Sequence, residues 1–226
     1  MVKNVGILLA AGLGSRFGSD VPKQFLQIDG QEVISYGISA FRHTPNLDVL
    51  LVLLGKDEYE AGDVARKYDV ETVCGGASRA ESFQNALDYI GVHYPDCEKV
   101  IFHEAARPLI HAEVFEKYFD LLDEYDYIET CQHITDSLGS YLPEIPVREN
   151  FFLIQAPEAY RYQNLIRYFD VKSEIYFAAY QLPASCKGYK YFDVGANFKL
   201  TYPSDLGLIS YYIGQEDETK IAGSWN

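Results

Sequence analysis

The chain has 226 residues, 48% apolar and 23% charged, with a formal net charge of −14. That is the composition of a folded protein with a full core, and no run of about 18 apolar residues is present to cross a membrane. The acidic balance argues against a nucleic-acid or anionic-membrane partner, which surplus Lys and Arg would serve, but not against a small phosphorylated ligand held by a local cluster of cations.

Met1 to Asn4 leads straight into a short apolar run, Val5 to Leu9, which reads as a buried strand and lacks the layout of a signal peptide. Val33 to Phe41 reads as a helix, Val49 to Leu54 as a second buried strand and Asp57 to Tyr68 as a helix. Val70 to Val73 is a short strand, Ser78 to Ile90 a helix, Lys99 to His103 a strand, Ala112 to Tyr125 a helix and Tyr127 to His133 a strand. This alternation predicts an α/β fold: a Rossmann-like, mostly parallel sheet with helices on both faces. Residues 135–155 break the rhythm with Asp136, Gly139, Pro143 and Pro146, and read as a protruding hairpin or functional loop. Helices near Gln163–Phe169 and Glu174–Gln181, a strand near Tyr189–Asp193 and a helix near Ser204–Ile213 follow, before a polar tail. The whole reads as one domain, 1–226, with an arm at about 135–155. Cys74, Cys97, Cys131 and Cys186 form no Cys-x-x-Cys pair and have no His at metal-ligand spacing, as expected of reduced cysteines in a cytoplasmic protein. The 19 tyrosines have no functional reading beyond core and interface filling.

The chemistry starts at Ala10-Ala11-Gly12-Leu13-Gly14-Ser15-Arg16-Phe17-Gly18, followed by Pro22-Lys23-Gln24-Phe25. A glycine-rich turn after a strand lets backbone N–H groups approach phosphates. A dinucleotide loop does not fit, because Phe17 stands where the third glycine belongs and the second strand ends Leu53-Leu54-Gly55 without an acid for a ribose. A P-loop does not fit either, for want of Gly-Lys followed by Ser or Thr. A nucleotidyltransferase loop does, with Arg16 and Lys23 able to face a triphosphate; a solvated turn with two surface cations is the plainer reading.

This stretch resembles the signature of the cytidylyltransferases that act on methylerythritol phosphate and on ribitol phosphate, with the Pro22-Lys23-Gln24-Phe25 ending pointing to that branch of the sugar nucleotidyltransferases. Four further blocks resemble the family in order, so that the likeness runs from Ala10 to about Ile213. Gly75-Gly76-Ala77-Ser78-Arg79-Ala80-Glu81-Ser82 is similar to a motif around the cytosine and ribose; on its own it is equally a glycine turn with Ser78 as helix N-cap. His103-Glu104-Ala105-Ala106-Arg107-Pro108 matches a block whose Asp binds the metal, with Glu104 in its place. The extra methylene adds about 1.5 Å of reach. Thr135-Asp136-Ser137, then Ile145-Pro146-Val147-Arg148 and Gln155-Ala156-Pro157-Glu158, resemble the acceptor-binding steps, with Ser137 where Thr is usual and Ala156 and Glu158 departing from Thr and Gln. Asn197-Phe198-Lys199-Leu200-Thr201 with Pro203 and Asp205 resembles the last block, and Asp170 and Ser173 stand roughly at an Asp-x-x-Ser step.

The resemblance implies a nucleotidyltransferase fold with a protruding β-arm, CTP and a small phosphorylated acceptor as substrates, Mg²⁺ as cofactor and a homodimer whose arm crosses to the partner. It implies catalytic cations at Arg16, Lys23 and Lys199, nucleotide contacts at Ala10, Ala11, Gly12, Gly14, Gly75, Gly76, Ser82 and Ala105, acceptor contacts at Ser137, Arg148 and Thr201, and the metal on Glu104. Taken alone, Arg148 is an ordinary surface residue. The wording Ile145-Pro146-Val147-Arg148 is nearer the ribitol-phosphate branch, which predicts a CDP-polyol for surface polysaccharide; methylerythritol phosphate is the alternative. A catalytically silent nucleotide-binding regulator, favoured only by Glu104, is the alternative of another class.

Overall fold

In a computed structural model, residues 1–12, 14, 17, 18, 21–143 and 145–223 are described, with side chains through Gln215. Arg16 lies outside the described residues.

The sheet has seven strands in the order β5-β4-β1-β6-β8-β7-β9. They are β1 (Asn4–Ala10), β4 (Val49–Leu54), β5 (Glu71–Cys74), β6 (Lys99–Glu104), β7 (Tyr127–His133), β8 (Phe152–Arg161) and β9 (Gly188–Tyr191). All run parallel except β8, which lies antiparallel between β6 and β7. A separate two-stranded ribbon, β2 (Gln27–Ile28) with β3 (Gln31–Glu32), precedes the first helix.

The central strands are apolar on both sides because both sides are covered. Along β1, Leu8 and Ala10 join Val52, Leu54 and Ile101 under α1 (Val33–Arg42) and α5 (Ala112–Leu121). Val5 and Ile7 point the other way, with Leu51, Leu53, Val100 and Phe102, under α4 (Arg79–His93) and α6 (Tyr162–Tyr168). Stacked rings knit each layer: Phe41 on Phe115 at 4.0 Å and Phe83 on Phe102 at 3.8 Å between centroids. A third, smaller cluster, with Leu200 and Ile209, seats α7 (Asp205–Gly223) beside the ribbon.

Four expectations are corrected. The helix predicted over 57–68 is two, α2 (Lys56–Ala61) and α3 (Asp63–Tyr68), parted by Gly62 at φ +68°. That left-handed position ends a helix at little cost to glycine. The helix predicted at Glu174–Gln181 shrinks to a 3-10 turn, Ala178–Gln181. The ten-residue strand β8 has no counterpart in the sequence reading, because Pro157 sits inside it. The register slips there: Glu129 faces Glu158 and Thr130 faces Gln155. Ala156 and Pro157 therefore bulge out of the ladder, and the missing proline N–H is not needed. Finally, the arm is not a β-arm along its length: among the described residues of 134–147 no strand forms, and pairing is confined to its base, where His133 meets Phe152.

From β1 the chain steps outward to β4 and β5, then returns to the other side of β1 as β6. Such a reversal of strand order leaves a crevice at the carboxyl ends of the two strands. The Gly-rich segment after Ala10 and the Glu104-Ala105 end of β6 meet there.

Candidate active site

A cleft of about 670 Å³ opens at that crevice. Its lining includes Ala10, Ala11, Gly12, Gly14 and Lys23 from the first block, Gly75, Gly76 and Ser82 from the second, Glu104 and Ala105 from β6, and Lys199 and Thr201 from the last. Sequence blocks from opposite ends of the chain thus converge on one cavity. Ser137 and Arg148 do not line it: both are exposed on the arm, where Arg148 donates to the Thr135 carbonyl at 2.9 Å and pairs with Glu149 at 3.2 Å.

Local rules place each side chain. The turn Pro22–Phe25 is pinned beneath the end of β1 by buried Gln24, whose amide donates to the Ala10 carbonyl at 2.8 Å. That aims Lys23 into the cleft, where its ammonium donates to the Leu200 carbonyl at 3.0 Å. Ser78 caps α4, accepting from the Glu81 N–H at 3.1 Å, while the Glu81 carboxylate accepts from the Ala77 N–H at 2.7 Å. This is a variant of the capping box. Ser82, one turn on, accepts from the Gly76 N–H at 3.1 Å and fixes the wall. A Cβ on Gly75 would lie 2.5 Å from that of Ala11. Only glycine lets these two walls approach.

The electrostatics are local and opposite to the chain's net charge. Among the described lining residues stand four cations, Lys23, Lys56, Arg79 and Lys199, and one carboxylate, Glu104. Lys199 donates to Glu104 at 2.8 Å, and Arg107, behind it, at 3.1 Å. Burial alone would raise the Glu104 pKa; Lys199, Arg107 and Arg79 outweigh it and hold the carboxyl ionised, down at about 2.

Three residues that carry no role in the sequence reading build this arrangement. Arg107 spans from Glu104 to the Asn197 carbonyl at 2.7 Å, and its own carbonyl accepts from His103 at 3.0 Å. Asn197 donates to the Ala156 carbonyl at 2.7 Å and to the Gln155 side chain at 2.9 Å, joining the Lys199 segment to β8. Arg79, over the Phe83 ring at 4.5 Å, is ion-paired with Glu158, which is 1% exposed and accepts a second hydrogen bond from Tyr160. All three stand inside blocks that the sequence singled out, but the contacts of Arg79 to Glu158, Arg107 to Asn197 and Asn197 to Ala156 join segments distant along the chain.

Among the described residues no group of three His, Cys, Asp or Glu could hold a metal by protein ligands alone. The donor that exists is one ionised carboxylate facing a cationic cleft. It suits Mg²⁺, which takes one or two carboxylates and completes its shell with water and substrate phosphates.

A family model described as IspD: 2-C-methyl-D-erythritol 4-phosphate cytidylyltransferase matches residues 5–215. The 2-C-methyl-D-erythritol 4-phosphate cytidylyltransferase of Clostridium perfringens (strain SM101 / Type A) is 30% identical over 229 residues, covering 94% of this chain and 100% of the relative. The bifunctional ribulose 5-phosphate reductase/CDP-ribitol pyrophosphorylase Bcs1 of Haemophilus influenzae is 28% identical over 184 residues, covering 76% of this chain and 38% of that protein. The crystal structure of 4-diphosphocytidyl-2C-methyl-D-erythritol synthase from Anaerococcus prevotii DSM 20548 superposes with a TM-score of 0.79 at 20% identity, covering 94% of this chain and 99% of the other, and establishes the fold. With four of its five motif blocks gathered in one cleft and a family match over nearly its whole length, the chain belongs to the IspD family of cytidylyltransferases.

Proposed function

We propose that this enzyme transfers the cytidylyl group of CTP to 2-C-methyl-D-erythritol 4-phosphate and releases pyrophosphate. The observation that carries this reading is the family match over residues 5–215, together with a relative of that name aligned along its full length. The ribitol-phosphate preference drawn from Ile145-Pro146-Val147-Arg148 rests on four residues of an exposed arm and yields to it.

In the reaction an oxygen of the acceptor phosphate attacks the α-phosphorus of CTP, the bond from that phosphorus to the bridging oxygen breaks, and the pair of electrons leaves with pyrophosphate. No side-chain nucleophile is needed; positioning and charge neutralisation do the work. Backbone N–H groups at Gly12 and Gly14 receive the triphosphate, with Arg16, Lys23 and Lys199 neutralising charge that develops on it. Gly75, Gly76, Ser82 and Ala105 line the nucleoside side, and Thr201 sits on the acceptor side. Glu104 and the triphosphate would hold Mg²⁺, which supplies charge neutralisation on the phosphates when bound.

The arm carries Tyr141, Leu142, Ile145, Val147 and Phe151 exposed in one run. Apolar residues so concentrated mark an interaction surface. A second copy of the chain is its occupant in this reading, and Ser137 and Arg148 then reach the acceptor phosphate in the partner's cleft.

Ribitol 5-phosphate is the second reading, favoured by the similarity to Bcs1. Comparing kcat/KM for the two acceptors at saturating CTP separates them. A preference of at least about 100-fold for methylerythritol phosphate, as polar pockets commonly achieve, supports the main reading; the reverse preference replaces it.

A further inference from the structure

Glu104 is the one carboxylate lining the cleft among the described residues, and its oxygens are already engaged. Lys199 lies 2.8 Å from each of them, and Arg107 lies 3.1 Å from Oε2. The two cations differ in what holds them. The Arg107 side chain is 9% exposed and fastened at its far end to the Asn197 carbonyl. The Lys199 side chain is 34% exposed and lines the cavity. It ends in a compact charge on a flexible stem. Its ammonium is held by Glu104, and among the described residues no carbonyl fastens it as Asn197 fastens Arg107. Arg107 is therefore a fixture and Lys199 a movable counter-charge.

We infer that Lys199 occupies the place of the divalent cation on Glu104 while nucleotide is absent, so that the cleft takes up its metal only together with a triphosphate. This rests on the reading of Glu104 as the metal-holding carboxylate. A triphosphate entering between Gly12 and Lys199 offers the ammonium a richer anion than one carboxylate. As Lys199 turns to it, a lone pair of Glu104 is exposed beside the phosphates that complete the metal's shell. Glu suits the exchange, because the methylene that Asp would lack carries the carboxylate about 1.5 Å further toward Lys199. A free cation meets instead a carboxylate already neutralised by two side chains. One residue then serves as placeholder first and phosphate ligand second.

The test is a Mn²⁺ titration of the full chain followed by electron paramagnetic resonance, with and without α,β-methylene-CTP, in the wild type, Lys199→Met, Lys199→Arg, Glu104→Gln and the Met/Gln double variant. Without nucleotide, K199M is expected to bind Mn²⁺ about tenfold tighter than wild type, since an opposite charge at this range moves a carboxylate's affinity for a cation by that much or more. K199R, which keeps the charge, stays as weak as wild type, and the gain disappears in the double variant. The analogue confers Mn²⁺ binding on wild type that E104Q weakens. If K199M without nucleotide binds no tighter than wild type while the analogue-dependent uptake still needs Glu104, the placeholder role is wrong and the metal reading stands. If analogue-dependent uptake is indifferent to E104Q, the metal reading itself falls and the inference with it.

Discussion

Lys23 donates to the carbonyl of Leu200 at 3.0 Å, across 177 residues of sequence. This bond joins the glycine-rich start of the chain to the segment that carries Lys199 and Thr201, so two cations of the cleft are set by one contact. Lys23→Ala should lower the rate of pyrophosphate release by about 10²–10³. Its melting temperature should change little, because the Pro22–Phe25 turn keeps its anchor through Gln24. Near-normal turnover would remove Lys23 from the chemistry.

Acid sensitivity should come in two separable windows. His103 is fully buried, and burial lowers its pKa from 6.5 to about 4. It therefore stays neutral in the folded state while the unfolded chain takes up a proton. Its contribution to stability is complete above the ordinary histidine value and declines as pH falls toward the folded one, by on the order of 3 kcal/mol. Glu104 is depressed from 4.5 to about 2, with burial opposing and Lys199 and Arg107 prevailing. Its contribution is present above the ordinary carboxylate value and lost as pH falls through the folded one, by a similar order. Urea titrations at a series of pH values should show H103Q flattening the upper window only and E104Q the lower only.

The Arg79–Glu158 pair sets a stability test. Glu158→Ala leaves a guanidinium facing a buried void and should destabilise by about 3–5 kcal/mol. Glu158→Gln keeps an acceptor for Arg79 and should cost far less. Equal losses for the two, by chemical denaturation, would show that the charge of Glu158 and not its hydrogen bond holds Arg79.

The proposal that the arm serves a partner's cleft has a direct consequence. Arg148→Ala and Lys23→Ala should each be nearly inactive alone, and mixing them after dissociation should restore about a quarter of wild-type activity, from the statistical half of dimers that are mixed, each with one intact cleft. No recovery on mixing would place Arg148 in its own subunit's site or outside catalysis.

The parts of the fold most legible in the sequence are those whose burial is two-sided. β4 and β7 coincide with their predicted bounds, and β1 and β6 do so within a residue. In β1, β4 and β6 a continuous apolar run ended by Gly or charge admits few alternatives, while β7 (Tyr127-Ile128-Glu129-Thr130-Cys131-Gln132-His133) is marked by its aromatic and β-branched residues. β8 escapes because its proline is accommodated by a bulge within β8, seen only in its register against β7. The glycine loop, Lys23, Glu104 and Lys199 are legible as ordered blocks, and the cleft gathers them. The Lys199–Glu104 pair, the span of Arg107 to Asn197 and the Arg79–Glu158 bond are not, since each joins segments whose approach only the assembled sheet determines. Ser137 and Arg148 lie apart from the cleft of their own chain.

The most direct test incubates the protein with CTP, Mg²⁺ and 2-C-methyl-D-erythritol 4-phosphate, and measures pyrophosphate together with the mass of the nucleotide product. Stoichiometric pyrophosphate and the CDP-linked methylerythritol are the predicted result, with ribitol 5-phosphate far poorer. CTP that binds but yields no pyrophosphate with methylerythritol phosphate, while ribitol 5-phosphate turns over, would contradict the proposed acceptor.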